Sequence, residues 1–201
     1  MQDESRHPGP SPSEIELLRE WYRYNSFVRK KYLSSIFDRI PEQERYRDRG
    51  ASFPSIVDIF MHTIDGYRIW FIYAYHDRLA EYQKRIRDRK YTRDEVEAEE
   101  QKVNSYVLGF INALTDADLT RSFVFKEGAE QFRRVRIRDM LWHMVEEELQ
   151  HRGELNALFW QLDIDPPVTG WNPFDEEKET ISEDEYHKIK AQSKSTYPDQ
   201  E

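Results

Sequence analysis

The sequence predicts an all-α protein: a four-helix bundle followed by a mostly irregular acidic C-terminal extension. Three observations predict it. Four stretches repeat apolar residues every three or four positions. Capping signals or prolines bracket those stretches. The connections between them are not all short, as bundles permit. A chain of 201 residues is long enough to bury one core, and 14 % aromatic residues argue against disorder.

Residues 1–12 carry Pro8, Gly9, Pro10 and Pro12 and read as a flexible lead-in. Ser13-Glu-Ile-Glu16 is a capping box that opens the first helix. Leu18, Trp21, Tyr22, Val28, Tyr32 and Ile36 keep its period to about Ile40, and Pro41 stops it. Ser55 with Asp58 starts the second helix, expected to run to roughly Arg89 with room for a break. Its face reads Ile59, His62, Gly66, Ile69, Tyr73.

Thr92-Arg-Asp-Glu95 is a second capping box, and the third helix continues through Val96, Val103, Val107, Phe110 and Leu114. Residues 121–136 alternate weakly around Gly128, as a short hairpin or an extended connection would. The fourth helix takes Ile137 to about Leu162, and Asp165-Pro-Pro-Val168 closes a domain expected over 13–168. The extension, 169–201, is acidic and poor in aliphatics. A brief packing contact is expected from Trp171 and Phe174, and a short helix near Glu183–Lys190.

Bulk properties remove several function classes. A net charge of −9 disfavours wholesale phosphate binding. The basic clusters Lys84–Arg93 and Arg133–Arg138 read as solvated surface, so nucleic acid is not expected as a partner. No apolar run approaches the roughly 20 residues of a membrane span. The start of the chain lacks the apolar core of a signal peptide, and the cytoplasm is the expected location. Without cysteine there is no disulfide, thiolate ligand or cysteine nucleophile.

Chemistry concentrates in Met140–Gln161. Glu147 and His151 stand four residues apart, so their side chains share one side of a helix and can converge on one atom. A carboxylate and an imidazole so placed suit a divalent metal. Spacing alone leaves the carboxylate open, because Glu148 is three residues from His151. His143, one turn earlier, is a candidate supporting residue. His62, on the apolar side of the second helix, is the natural third ligand. Gly66 and Gly153 lie beside these groups. Each costs a helix interior about 1 kcal/mol relative to alanine, which points to close packing or to space kept beside a site.

Three stretches resemble the DinB-like superfamily of metal-binding four-helix bundles, which includes thiol-dependent transferases and isomerases. They are Leu18-Arg-Glu-Trp-Tyr-Arg-Tyr-Asn25 with Ile40-Pro41; Ser55-Ile-Val-Asp-Ile-Phe-Met-His62 with Trp70; and His143-Met-Val-Glu-Glu147, His151-Arg-Gly153, Leu162 and Pro166-Pro167. The resemblance spans about residues 14–168. It implies a ligand set of His62, Glu147 and His151, with glutamate where the family carries histidine, and it selects Glu147 over Glu148.

Two histidines and a carboxylate would take Zn, Ni, Fe or Mn and leave positions open for substrate. The expected function is therefore a metal-dependent transferase or hydrolase that activates a water or thiol against a small electrophile. Thiol S-transfer, with a low-molecular-weight thiol as co-substrate, is the specific version that the resemblance implies. The alternative is a non-catalytic, stress-related scaffold bundle with a structural or lapsed metal site. A homodimer is expected under either reading.

Overall fold

The computed structural model describes residues 11–83, 89–170 and 182–196. Helix α1 spans Glu14–Arg39; the Ser13 amide donates to Glu16 Oε2 at 2.7 Å, which ties off a free N–H of the first turn. Ile40 is extended ahead of Pro41, and a single turn, α2 (Glu42–Arg45), follows. Helix α3 covers Ile56–Tyr67, capped by Ser55, whose Oγ accepts from the Asp58 amide at 3.1 Å. Helix α4 covers Arg93–Ala113, opened by Thr92 and Glu95 in a reciprocal box. One turn, α5 (Asp116–Leu119), leads to β1 (Ser122–Lys126) and β2 (Phe132–Arg136), an antiparallel hairpin that pairs Phe123 with Val135. Helix α6 runs Ile137–Gln161, and α7 runs Glu183–Thr196.

The bundle is made by α1, α3, α4 and α6. Helix α3 packs against α6 and α4, while α1 packs against α4 and α6. Each helix turns a stripe inward: Ile15, Leu18, Tyr22, Val28 and Ile36 from α1, and Ile56, Ile59, Phe60 and Ile64 from α3. Val96, Val103, Val107 and Ile111 of α4, with Met140, Leu141, Met144 and Leu155 of α6, complete the core. Tyr22 carries a polar group into that core and donates to the Leu141 carbonyl at 3.0 Å.

The second helix is shorter than the sequence predicts. After Tyr67 the backbone widens into a π-helical segment, Arg68–Ala74, and turns at Asp77, where φ is +54°. Aspartate tolerates that left-handed conformation. Its Oδ1 accepts from the Lys126 amide at 2.8 Å, so the stop is set by a strand 49 residues away. The expected continuation over 84–88 lies outside the described residues. So do residues 1–10 and the packing expected of Trp171 and Phe174. Between 121 and 136 the hairpin is the form adopted, and α7 extends beyond the expected end at Lys190. The chain divides into two compact units, Met1–Thr169 and Gly170–Glu201. No helix among the described residues is long and apolar enough to cross a membrane.

Candidate metal centre

Helix α6 carries His143, Glu147, His151 and Glu154 at successive spacings of four, four and three residues, which places them along one face. Helix α3 brings His62 to the same face. The site begins where these two helices meet. One turn beyond His62, Gly66 lets them approach. A methyl added there would lie 3.0 Å from Met144 Cε. Of the two readings the sequence leaves open for the glycines, close packing is the one found at Gly66. The room at Gly66 is filled by Met144, and Gly153 is exposed with nothing within 4 Å of an added methyl.

His62, Glu147 and His151 each offer one donor atom, and these atoms all lie within 4.8 Å of one another. Glu147 Oε2 is 3.4 Å from His151 Nε2 and 3.9 Å from His62 Nε2. Donors sharing an ion at about 2.1 Å sit roughly 3.0–4.2 Å apart, depending on geometry. The measured separations are already in that range, and the outer bound needs at most a small closure. Nitrogen from two imidazoles with one carboxylate oxygen is a donor set for a first-row divalent ion. The residues therefore fit the group that the sequence implies.

Glu148, the other carboxylate the spacing allowed, points elsewhere. It is 4 % exposed, accepts from Arg29 Nη1 at 2.9 Å and from the Tyr67 hydroxyl at 2.5 Å. Arg29 also donates to Glu100 and Asn104, at 3.2 and 2.8 Å. Burial pushes the Arg29 guanidinium down, but Glu148, Tyr67 and Glu100 together push it further up, so the buried charge is held firmly. Successive residues on a helix differ by about 100°, which is why one carboxylate faces the site and the next the core.

His143 lies beside the cluster rather than in it. Its Nε2 is 3.8 Å from Glu147 Oε1, and its ring meets Trp70 edge-on at 5.3 Å. Glu147 thus turns one oxygen to His62 and His151 and the other to His143.

Three supporting residues, Ser52, Phe53 and Glu154, escape the sequence. Glu154 Oε2 lies 3.0 Å from His151 Nδ1, and its carboxylate also accepts from the Ser52 amide and hydroxyl, each at 2.7 Å. Burial raises the Glu154 carboxyl, yet the bonds from Ser52 and His151 outweigh it and leave it lowered. Phe53 stacks on His62 with centroids 4.0 Å apart and meets His151 edge-on at 5.9 Å. Ser52 and Phe53 are about a hundred residues from α6, and no local pattern marks them. A glutamate one turn after a suspected ligand histidine is the only signal that could have pointed to Glu154.

Arg152, given no role from the sequence, donates to the Tyr24 hydroxyl at 3.0 Å and to Asn25 Oδ1 at 3.1 Å. It ties α6 to α1.

A family model described as the DinB superfamily matches residues 28–155, a span that contains every residue of the site. No curated protein matches the chain.

Proposed function

The chain belongs to the DinB superfamily, and from that premise we propose that His62, Glu147 and His151 hold one divalent transition metal in an enzyme acting on a small molecule. The observation that carries the reading is unequal exposure. The His151 side chain is 5 % exposed, whereas His62 and Glu147 are 28 % and 34 % exposed. One ligand is anchored in the protein and two are partly exposed, on the side from which a substrate would approach. A structural site would be closed on all sides.

Each residue has a distinct part in this proposal. His151 fixes the position of the centre from within the bundle. His62 supplies the second nitrogen from the opposing helix, its outer face covered by Phe53. Glu147 adds negative charge and keeps its second oxygen toward His143. Trp70 and His143 form the adjoining wall, where an apolar group and a polar group of a substrate would both find contact. When bound, such an ion supplies Lewis-acid charge that lowers the pKa of a water or thiol and prepares it to attack an electrophile. Zn, Ni, Fe and Mn all suit the donors, and thiol S-transfer in a cytoplasmic homodimer is the specific form proposed.

The test is a panel of low-molecular-weight thiols and small electrophiles presented to metal-loaded protein, metal-stripped protein and Glu147→Ala. Turnover only in the loaded wild type supports the enzyme. Equal inertness of all three, with full metal occupancy in the wild type, assigns the metal to a non-catalytic scaffold.

A further inference from the structure

The loop between α2 and α3, residues 46–55, reaches both histidines of the centre through adjacent residues, His151 by way of Glu154 and His62 directly. Ser52 binds Glu154 with its amide and its hydroxyl, each at 2.7 Å, and Glu154 Oε2 lies 3.0 Å from His151 Nδ1. The next residue, Phe53, lies over the His62 ring at 4.0 Å and 25°. The loop is itself braced. Gly50, at φ +66°, takes the left-handed turn, and its amide donates to Asp48 Oδ1 at 2.9 Å. The Arg49 amide donates to the Pro54 carbonyl at 2.9 Å. One end is tied to the chain before α4 by the Tyr46 hydroxyl on the Tyr91 carbonyl, and the other is the Ser55 cap of α3.

We propose that this loop is a clasp that positions both histidines of the centre, Ser52 acting on His151 through Glu154 and Phe53 acting on His62 by stacking. The proposal rests on the metal reading of the centre and adds how the chain prepares it. A carboxylate only accepts hydrogen bonds. His151 Nδ1 must therefore carry the proton toward Glu154, which leaves the Nε2 lone pair available to an ion shared with Glu147 Oε2, 3.4 Å away. A histidine whose far nitrogen is so engaged has one tautomer and one ring orientation before any ion arrives. The ring is almost fully buried, so water does not compete for Nδ1. Ser52 in turn holds Glu154, because two donors on one carboxylate fix its rotation as well as its place. Phe53 does for the more exposed His62 what burial does for His151: it restricts the ring to one plane. Ser52, Phe53 and Glu154 are positioning residues and touch no reacting atom.

The test reads the metal-free protein first. Long-range proton–nitrogen correlation spectra at about pH 8, where free histidine is neutral, distinguish the two tautomers of His151. Wild type is expected to show the Nδ1–H form. Glu154→Ala is expected to lose it and to weaken metal binding by about 10- to 100-fold. Glu154→Gln keeps an acceptor oxygen and is expected to restore the tautomer and much of the affinity, which a merely structural role would not do. Phe53→Ala is expected to lower affinity with the His151 tautomer unchanged. An Nε2–H tautomer in wild type overturns the proposal, as does an Nδ1–H tautomer and full affinity in Glu154→Ala. Wild type with the Nδ1–H form but no affinity for Zn²⁺, Ni²⁺, Mn²⁺ or Fe²⁺ supports the clasp on His151 and sinks the metal reading instead.

Discussion

The neighbouring carboxylates of Glu147 and Glu148 serve two different structures. Glu147 Oε2 lies 3.4 Å from His151 Nε2 on a partly exposed face, and Glu148 Oε2 lies 2.9 Å from Arg29 Nη1 inside the bundle. One shapes a site and the other holds helices together.

Their replacements are therefore expected to separate stability from metal binding. Glu148→Ala leaves the Arg29 charge buried with part of its compensation gone, and removing one partner of a buried pair costs about 3–5 kcal/mol. Glu147→Ala lies on a partly exposed face and is expected to change stability by less than about 1 kcal/mol while abolishing metal retention. Urea unfolding of both variants, with metal content measured alongside, checks this. Similar stability losses in the two would contradict the division.

His62→Ala and His151→Ala are each expected to abolish metal retention, because either removes one of three donors. His143→Ala is expected to weaken it little, since its Nε2 faces the second oxygen of Glu147 at 3.8 Å. Equal loss in all three variants would mean that the ligand set is wrong.

The two helical glycines are expected to respond differently to alanine. Gly153 is exposed in the interior of α6 with nothing near an added methyl, so Gly153→Ala is expected to stabilise by about 0.5–1 kcal/mol. Gly66→Ala has the same propensity gain but must displace Met144 Cε, 3.0 Å away in the core, and is expected to gain less or lose. Thermal melts of both variants decide it.

The architecture was open to reading wherever its cause is local. Ser55, Thr92 and Pro41 act within one turn of themselves, and the helices start or stop at them. His62 and His151 stood out because each interrupts an apolar stripe. The choice between Glu147 and Glu148 was not local: it depends on where Arg29 of α1 lies, 119 residues from Glu148. The end of the second helix depends on Lys126, and the partner of Glu154 is Ser52, 102 residues away. Contacts of that reach leave no periodicity behind.

Alkaline pH is expected to unfold the bundle through its buried phenols. Burial pushes Tyr32 up to about 12, with Arg152 and Thr169 drawing it back, and burial raises Tyr22 and Tyr67 as well. A folded-state value above the ordinary phenol value of about 10 gives stability that is complete below pH 10 and lost as pH rises toward the folded-state value. Tyrosinate absorbance and circular dichroism should therefore change together above pH 10. Tyr32→Phe should soften the Tyr32 part of that loss. Full ionisation of every tyrosine with the helices intact would contradict this.

The most direct measurement of the central claim is elemental analysis of untagged protein after exhaustive dialysis, wild type beside His151→Ala. About one equivalent of a transition metal in wild type and none in the variant is the expected result. No metal in wild type, even after loading with Zn²⁺, Ni²⁺, Mn²⁺ and anaerobic Fe²⁺, would contradict it and leave His62, Glu147 and His151 as a lapsed site on a scaffold.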